Sequence, residues 1–319
     1  MFLIKHQYDI WKVIGVMVIT FLFLMRKIEN VGEQEGIVQI DYLAIEDTEH
    51  PSADKFDEIL AQILLILNDP ELDAAWNSSS QSSAEVLSLF EQSCTADTEL
   101  CEKAEFNGTF SDEEKYSYFE QFQFLVNEVD EYAIRGSTVR EVLKQFIVNS
   151  FKSDRRGSAG RYKLTLNLGS MKYANEYFQV LTHEMGHIVD LGSLQGKSVK
   201  KNEFFTEFGK VVFSVDDPSL EFYRYSRQSE KIRKSGLSRK DFCSGYGMTN
   251  PFEDFAECHN LYLNHNDVFR SWAKSNDLLK NKYNYLANLY AGNALANSEL
   301  DLTAKSGEWR AWDTTRILE

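Results

Sequence analysis

Residues 161–190 read RYKLTLNLGSMKYANEYFQVLTHEMGHIVD. The first part alternates, Tyr162, Leu164, Leu166 and Leu168 against Lys163, Thr165 and Asn167, which is the period of a half-buried β-strand, and Gly169 stops it. The second part predicts a helix over 173–189, because Phe178, Leu181, Met185 and Ile188 recur at spacings of 3, 4 and 3 and mark one core-facing stripe. Within that helix His183-Glu184-Met185-Gly186-His187 has the form H-E-x-x-H. Two histidines one turn apart lie on the same helix face and can reach one metal ion, with the glutamate between them placed as a general base. The apolar stripe pins the helix while the histidines point elsewhere, as a metal site on a rigid element requires. The bland alternative, two surface or capping histidines near a helix C-terminus, fits poorly with so apolar a helix, where bare imidazoles need partners.

Working outward, the chain has 319 residues, room for one large domain or for a main domain with a smaller companion. With 43% hydrophobic and 26% charged residues it can bury a sizeable core and is not broadly disordered. A formal net charge of −15 argues against nucleic acid as a partner. At the N-terminus, residues 13–25 form an uncharged run, VIGVMVITFLFLM, with Lys5 and Lys12 before it and Arg26 and Lys27 after. A spanning helix needs about 20 apolar residues and a signal-peptide core about 7 to 15. No A-x-A arrangement follows, so the expectation is an uncleaved signal or anchor over 1–28, a membrane association through it, and the rest of the chain outside the cytoplasm. Secretion is the alternative.

Four cysteines fit an exported chain. Cys94 and Cys101 bracket a short polar loop, and Cys243 and Cys258 bracket SGYGMTNPFEDFAE; pairing each couple is one of three possible connectivities. The expected organisation is a linker over 29–52, a helical region over 53–155 and the metal-site domain over 156–319. Within the helical region, ADKFDEILAQILLILND (53–69) has a helical apolar period, and the capping boxes Ser111-x-x-Glu114 and Thr138-x-x-Glu141 open helices expected over 112–133 and 139–151. DRRGSAG (154–160) reads as a turn.

A catalytic zinc takes three protein ligands and keeps one position open. The extended pattern with a third histidine is absent, since IVDLGSLQGK follows His187. A glutamate on a second helix is the natural third ligand. In 244–263, SGYGMTNPFEDFAECHNLYL, Asn250 suits an N-cap and Pro251 the first helical position. Glu253 and Glu257 then share a face, and spacing alone leaves them nearly tied. Glu253 also has a structural alternative, as the acidic member of a capping box with Asn250. Asp190 is equally well a residue that orients a ligand histidine or one that finishes the helix.

HEMGHIVD followed by SGYGMTNPFEDFAE resembles the catalytic domain of the anthrax lethal factor-like gluzincin zinc metallopeptidases, in which a Tyr-Gly-x-Thr-Asn segment precedes an acidic helix ending in Phe-Ala-Glu. The resemblance covers roughly residues 160–292. It implies an α+β, mostly α fold: a zincin-like domain with a small mixed sheet, an active-site helix and a C-terminal helical subdomain. It implies Zn2+ held by His183, His187 and Glu253, Glu184 as general base, Tyr246 as hydroxyl donor to the substrate carbonyl, and Glu257 as the carboxylate that orients a ligand histidine. The 66-residue step from His187 to Glu253 implies an insertion between them.

The implied chemistry is peptide-bond hydrolysis on a peptide or protein substrate, with strand 162–168 offering an edge to it. Two alternatives stand beside it. One is a non-catalytic envelope scaffold whose structural zinc takes His259 as a fourth ligand; the other is an exported toxin or effector protease with a narrow target. The oligomeric state is not encoded in any feature of the sequence.

Overall fold

The computed structural model describes residues 87–173, 176–295 and 310–317, which all belong to one compact unit. The anchor expected over 1–28, the linker over 29–52 and the helix over 53–69 lie outside the described residues. Among those described, no helix is long and apolar enough to cross a membrane.

The chain enters through α1 (Leu89–Ala96), α2 (Thr98–Lys103) and strand β1 (Ala104–Asn107). Helix α3 (Asp112–Tyr132) starts where its capping box predicts, with the Ser111 hydroxyl accepting from Glu114 N–H and the Glu114 carboxylate accepting from Ser111 N–H. It buries Phe119, Phe122, Leu125, Val126 and Val129, and Phe122 stacks on Phe146 of the sheet at 3.9 Å between ring centroids. Thr138 and Glu141 form the second capping box, but the helix behind it, α4 (Val139–Val142), is only one turn long. The expected helix over 139–151 is corrected to this turn followed by strand β2 (Gln145–Asn149). Phe146, Ile147, Val148 and Asn149 are all buried, so β2 carries the continuous apolar run of a strand covered on both faces.

Strands β3 (Gly157–Ala159) and β4 (Lys163–Asn167) complete a four-stranded sheet of order β1-β2-β4-β3. β1, β2 and β4 are parallel, and β3 returns antiparallel along β4, Gly157 opposite Leu166 and Ala159 opposite Leu164. Two of the four strands thus come from before residue 156. The helical region expected over 53–155 holds these two strands beside its helices: residues 104–149 build the same sheet as the strand leading into the H-E-x-x-H helix. The stretch 154–160, expected as a turn, contains β3.

Helix α5 (Glu176–Ile188) follows and is buried along nearly its whole length. It ends in a π-turn, Val189–Ser193, closed by Leu194 N–H to Val189 O. Single π-turns in helices gather at functional sites. The stretch 194–250, where an insertion is expected, contains a hairpin, β5 (Lys201–Glu207) with β6 (Val211–Ser214), and helix α6 (Ser219–Ser226). At the hairpin tip Phe208 and Gly209 both have positive φ, 50° and 75°. Glycine tolerates this without cost, phenylalanine does not. Helices α7 (Pro251–Asn264), α8 (Asn266–Ala273) and α9 (Asp277–Leu289) close the C-terminal side. The architecture is mixed α+β, about half helical, with one small mixed sheet.

Two devices set the position of α7. Gly186 of α5 lies against it: a Cβ there would stand 3.0 Å from Ala256 Cα and 3.1 Å from His259 Nδ1. The glycine therefore permits the close crossing of the two helices and justifies a helix-interior residue that otherwise costs about 1 kcal/mol relative to alanine. On the far side, Asp254 is paired with Lys282 of α9, whose Nζ lies 2.7 Å from both carboxylate oxygens, and accepts from Ser226 Oγ at 2.8 Å. Both charges are fully buried. The cysteines pair locally, Cys94 with Cys101 and Cys243 with Cys258, at Cα–Cα separations of 5.1 and 5.3 Å that suit disulfides. Such bonds fit a chain outside the reducing cytoplasm.

Candidate metal centre

His183 and His187 project from α5 toward the first turn of α7, their rings edge to face at 5.1 Å. α7 begins as its sequence predicts: the Asn250 side chain accepts from the N–H groups of Phe252 and Glu253, and Pro251 takes the first helical position. The Glu253 carboxylate is not turned back to cap the helix. Its Oε2 lies 3.2 Å from His183 Nε2 and 3.4 Å from His187 Nε2, and it has no hydrogen-bond partner although it is buried. The three side chains offer ligand atoms within 4.8 Å of one another and could hold a metal ion. Around a tetrahedral ion with bonds of about 2.0–2.1 Å, neighbouring ligand atoms stand about 3.3–3.4 Å apart. The observed separations match that spacing, so the donor set fits a small cation.

Electrostatically the three are already arranged for a cation. Burial lowers the basicity of His183 and His187, but the carboxylates around them outweigh it and both imidazoles stand above their ordinary range. Burial raises Glu253, while His187 and His183 pull it down further, so it is held far below the usual carboxylate range.

Glu257, one turn along α7, reaches a different atom. Its Oε1 lies 2.9 Å from His183 Nδ1, though the pair is not a well-aligned hydrogen bond. Its Oε2 accepts from Thr314 N–H at 2.7 Å. The two glutamates that sequence spacing left tied are thus separated by geometry, Glu253 at the Nε2 atoms and Glu257 behind one ring. Glu184 is buried beside the histidines with Oε2 unpartnered, and burial pushes its carboxyl up. Tyr246, on a 3-10 turn before α7, donates its hydroxyl to Glu253 Oε1 at 3.0 Å, and its ring lies nearly parallel to that of His183. Burial, and then the Glu253 charge, raises its pKa and keeps the phenol protonated.

Asp190 forms no hydrogen bond to either histidine, although the charge of His187 acts on it. Both its oxygens accept from the Tyr223 hydroxyl, at 2.7 and 2.6 Å, and its main-chain carbonyl accepts from Ser219 Oγ. It ties the π-turn to α6. His187 Nδ1 has no hydrogen-bond partner. His259, the fourth ligand of a closed site, is spent elsewhere: Nδ1 lies 3.0 Å from Thr182 O and Nε2 2.7 Å from the Tyr290 hydroxyl.

The centre opens into a cleft of about 540 Å³. Three elements of its wall had gone unnoticed in the sequence. Gly157 of β3 crosses directly above Glu184, so close that a Cβ there would lie 2.5 Å from Oε1. Arg156 pairs with Glu176 of α5 and with Asp313. The C-terminal stretch 310–317 runs along the Tyr246 turn, with Gly245 and Tyr246 N–H groups donating to the carbonyls of Ala311 and Trp312. The glycine in DRRGSAG was the one available signal; a stretch of eight residues so far downstream has no period to read.

Compared with family models, curated proteins and solved structures, the chain matches none.

Proposed function

We propose that the chain is a zinc-dependent endopeptidase of the gluzincin type, with a zincin-like domain similar to that of the lethal factor-like metallopeptidases. The observation that carries this is the convergence of Glu253 Oε2 on both histidine Nε2 atoms with an unpartnered glutamate beside them. Two imidazoles and one carboxylate suit zinc, and three protein ligands are the number a catalytic site uses. When bound there, zinc supplies Lewis acidity and makes water a nucleophile at neutral pH.

The chain's own groups supply the rest. Glu184, buried and raised, accepts a proton from the attacking water and returns it to the leaving amine. Tyr246 turns its hydroxyl from Glu253 Oε1 to the developing oxyanion, a contribution typically worth about 3 to 4 kcal/mol. Glu257 holds the His183 ring so that Nε2 faces the cation. An extended substrate adds to the sheet by main-chain pairing. The edge it uses is β3 rather than the strand over 162–168, because β4 is paired on both sides, with β2 and β3. The scaffold alternative loses its support with His259.

Glu184→Gln is the test. Hydrolysis of a degenerate peptide library should fall by about 10²–10⁴-fold with zinc content unchanged. Full activity of Glu184→Gln refutes the mechanism.

A further inference from the structure

One wall of the cleft is basic in a way that the hydrolytic roles do not use. Segment 152–156 leads into β3 and lines the cleft over the metal centre. Arg156 is committed to its ion pairs with Glu176 and Asp313. Lys152 and Arg155 are exposed, face the same cleft, and form no ion pair among the described residues. The main chain at Arg155 is nevertheless fixed. Its carbonyl accepts from the buried Asn167 amide at 2.9 Å, and Asn167 accepts in turn from Asn149 at 2.8 Å. Its charge is close enough to act on both Glu184 and Tyr246. Along segment 152–156 the wall presents two exposed cations, Lys152 and Arg155, beside one exposed anion, Asp154. The whole chain carries −15, so this wall departs from its average surface, and a concave site focuses the field.

Strand direction fixes where a ligand meets that charge. Glu184 lies under Gly157, which sets the reacting bond near Gly157. A chain added antiparallel to β3, the more stable pairing per residue, runs from Ala159 past Gly157 toward Arg155. The residues that follow the cleaved bond therefore reach Arg155 and Lys152.

We propose that Arg155, assisted by Lys152, is a specificity determinant that binds a carboxylate one or two residues C-terminal to the cleaved bond. This rests on the endopeptidase reading for the reaction, though not for the binding. The carboxylate is either an Asp or Glu side chain or the free C-terminus of a short substrate, since the guanidinium fork matches both.

Two measurements test it. Binding is read without turnover on zinc-supplemented Glu184→Gln chain, by anisotropy of labelled octapeptide pools: amidated pools with one Asp, matched pools with Asn, and Asn pools with a free C-terminus. The Asp pool should bind roughly tenfold more tightly than the Asn pool at low salt, about 1.4 kcal/mol. Adding Arg155→Glu should reverse the preference, and Arg155→Lys should keep most of it. Turnover is then read by sequencing the products of an amidated and a free-ended library. Enrichment of Asp and Glu in the two positions after the cut supports a side-chain carboxylate; enrichment only of cuts beside a free end assigns it to the chain terminus. An identical profile from Arg155→Glu, or enrichment of neutral or basic residues there, overturns the proposal. Carboxylate binding that depends on Arg155 in a chain that cuts neither library supports the binding site and refutes the peptidase reading alone.

Discussion

Substituting Gly157 by alanine tests whether Glu184 is a working carboxylate held in one position. The added Cβ would lie 2.5 Å from Glu184 Oε1, 2.8 Å from Cγ and 2.9 Å from Cδ. Ordinary contact needs roughly 3.4 Å or more, so the carboxylate must retreat by about 0.9 Å. Any such retreat takes the carboxylate from the place it holds beside the two histidines in the cleft. A misplacement of about 1 Å at a reacting group typically costs about 10²-fold, or about 2.7 kcal/mol of barrier. Stability changes less: overpacking costs about 1–3 kcal/mol, and the stiffer unfolded chain returns about 0.4–1 kcal/mol. Gly160 is the internal control, because a Cβ there meets nothing within 4 Å. The assay is kcat/KM on a peptide cut by the wild-type chain, with zinc content and the thermal midpoint measured on the same samples. Gly157→Ala should lose about 10²-fold in kcat/KM and keep its zinc, and Gly160→Ala should do neither. Wild-type kcat/KM in Gly157→Ala refutes the placement of Glu184 as the base.

Other expectations concern the supports of the site. Lys282→Met should destabilise the fold by about 3–5 kcal/mol in denaturant titration, because it strands the buried Asp254 carboxylate with Ser226 as its remaining neutral partner. The pH dependence of stability should carry the mark of Asp217. Burial pushes its pKa up to about 6, outweighing the N–H groups of Gly196 and Ser219 that pull it down. The folded chain therefore binds a proton that the unfolded chain has already released. The extra stability is complete below the unfolded value near 3.8, declines as pH rises through about 6, and amounts to about 3 kcal/mol. Asp217→Asn should flatten that decline in unfolding titrations between pH 4 and 7; an unchanged slope would contradict it.

The parts of the fold that were legible in sequence are those with local signals. Helix α3 was announced by Ser111 and Glu114, α7 by Asn250 and Pro251, and α5 by its apolar stripe. Strand β2 was hidden because QFIVN, covered on both faces, has no alternation to separate it from the helix that Thr138 opens. β1 and β3, with four and three residues, are too short to show a period. For the site, spacing supplied His183, Glu184 and His187, and the family resemblance chose Glu253. Spacing could not separate the two glutamates, and geometry does, with Glu253 at the Nε2 atoms and Glu257 at His183 Nδ1, since residues one turn apart share a face but not a reach. Asp190 was evenly balanced in sequence, and its bond to Tyr223, 33 residues away, is a tertiary fact.

The central claim is that His183, His187 and Glu253 hold one zinc. Zinc per chain, measured by elemental analysis on the purified wild-type, Glu253→Ala and Glu257→Ala proteins, tests it most directly. The wild type should carry about one zinc, Glu253→Ala should lose it, and Glu257→Ala should retain the site with affinity weakened by about 10–100-fold. A wild-type chain that binds no zinc, or Glu253→Ala that keeps it while Glu257→Ala does not, would contradict the account.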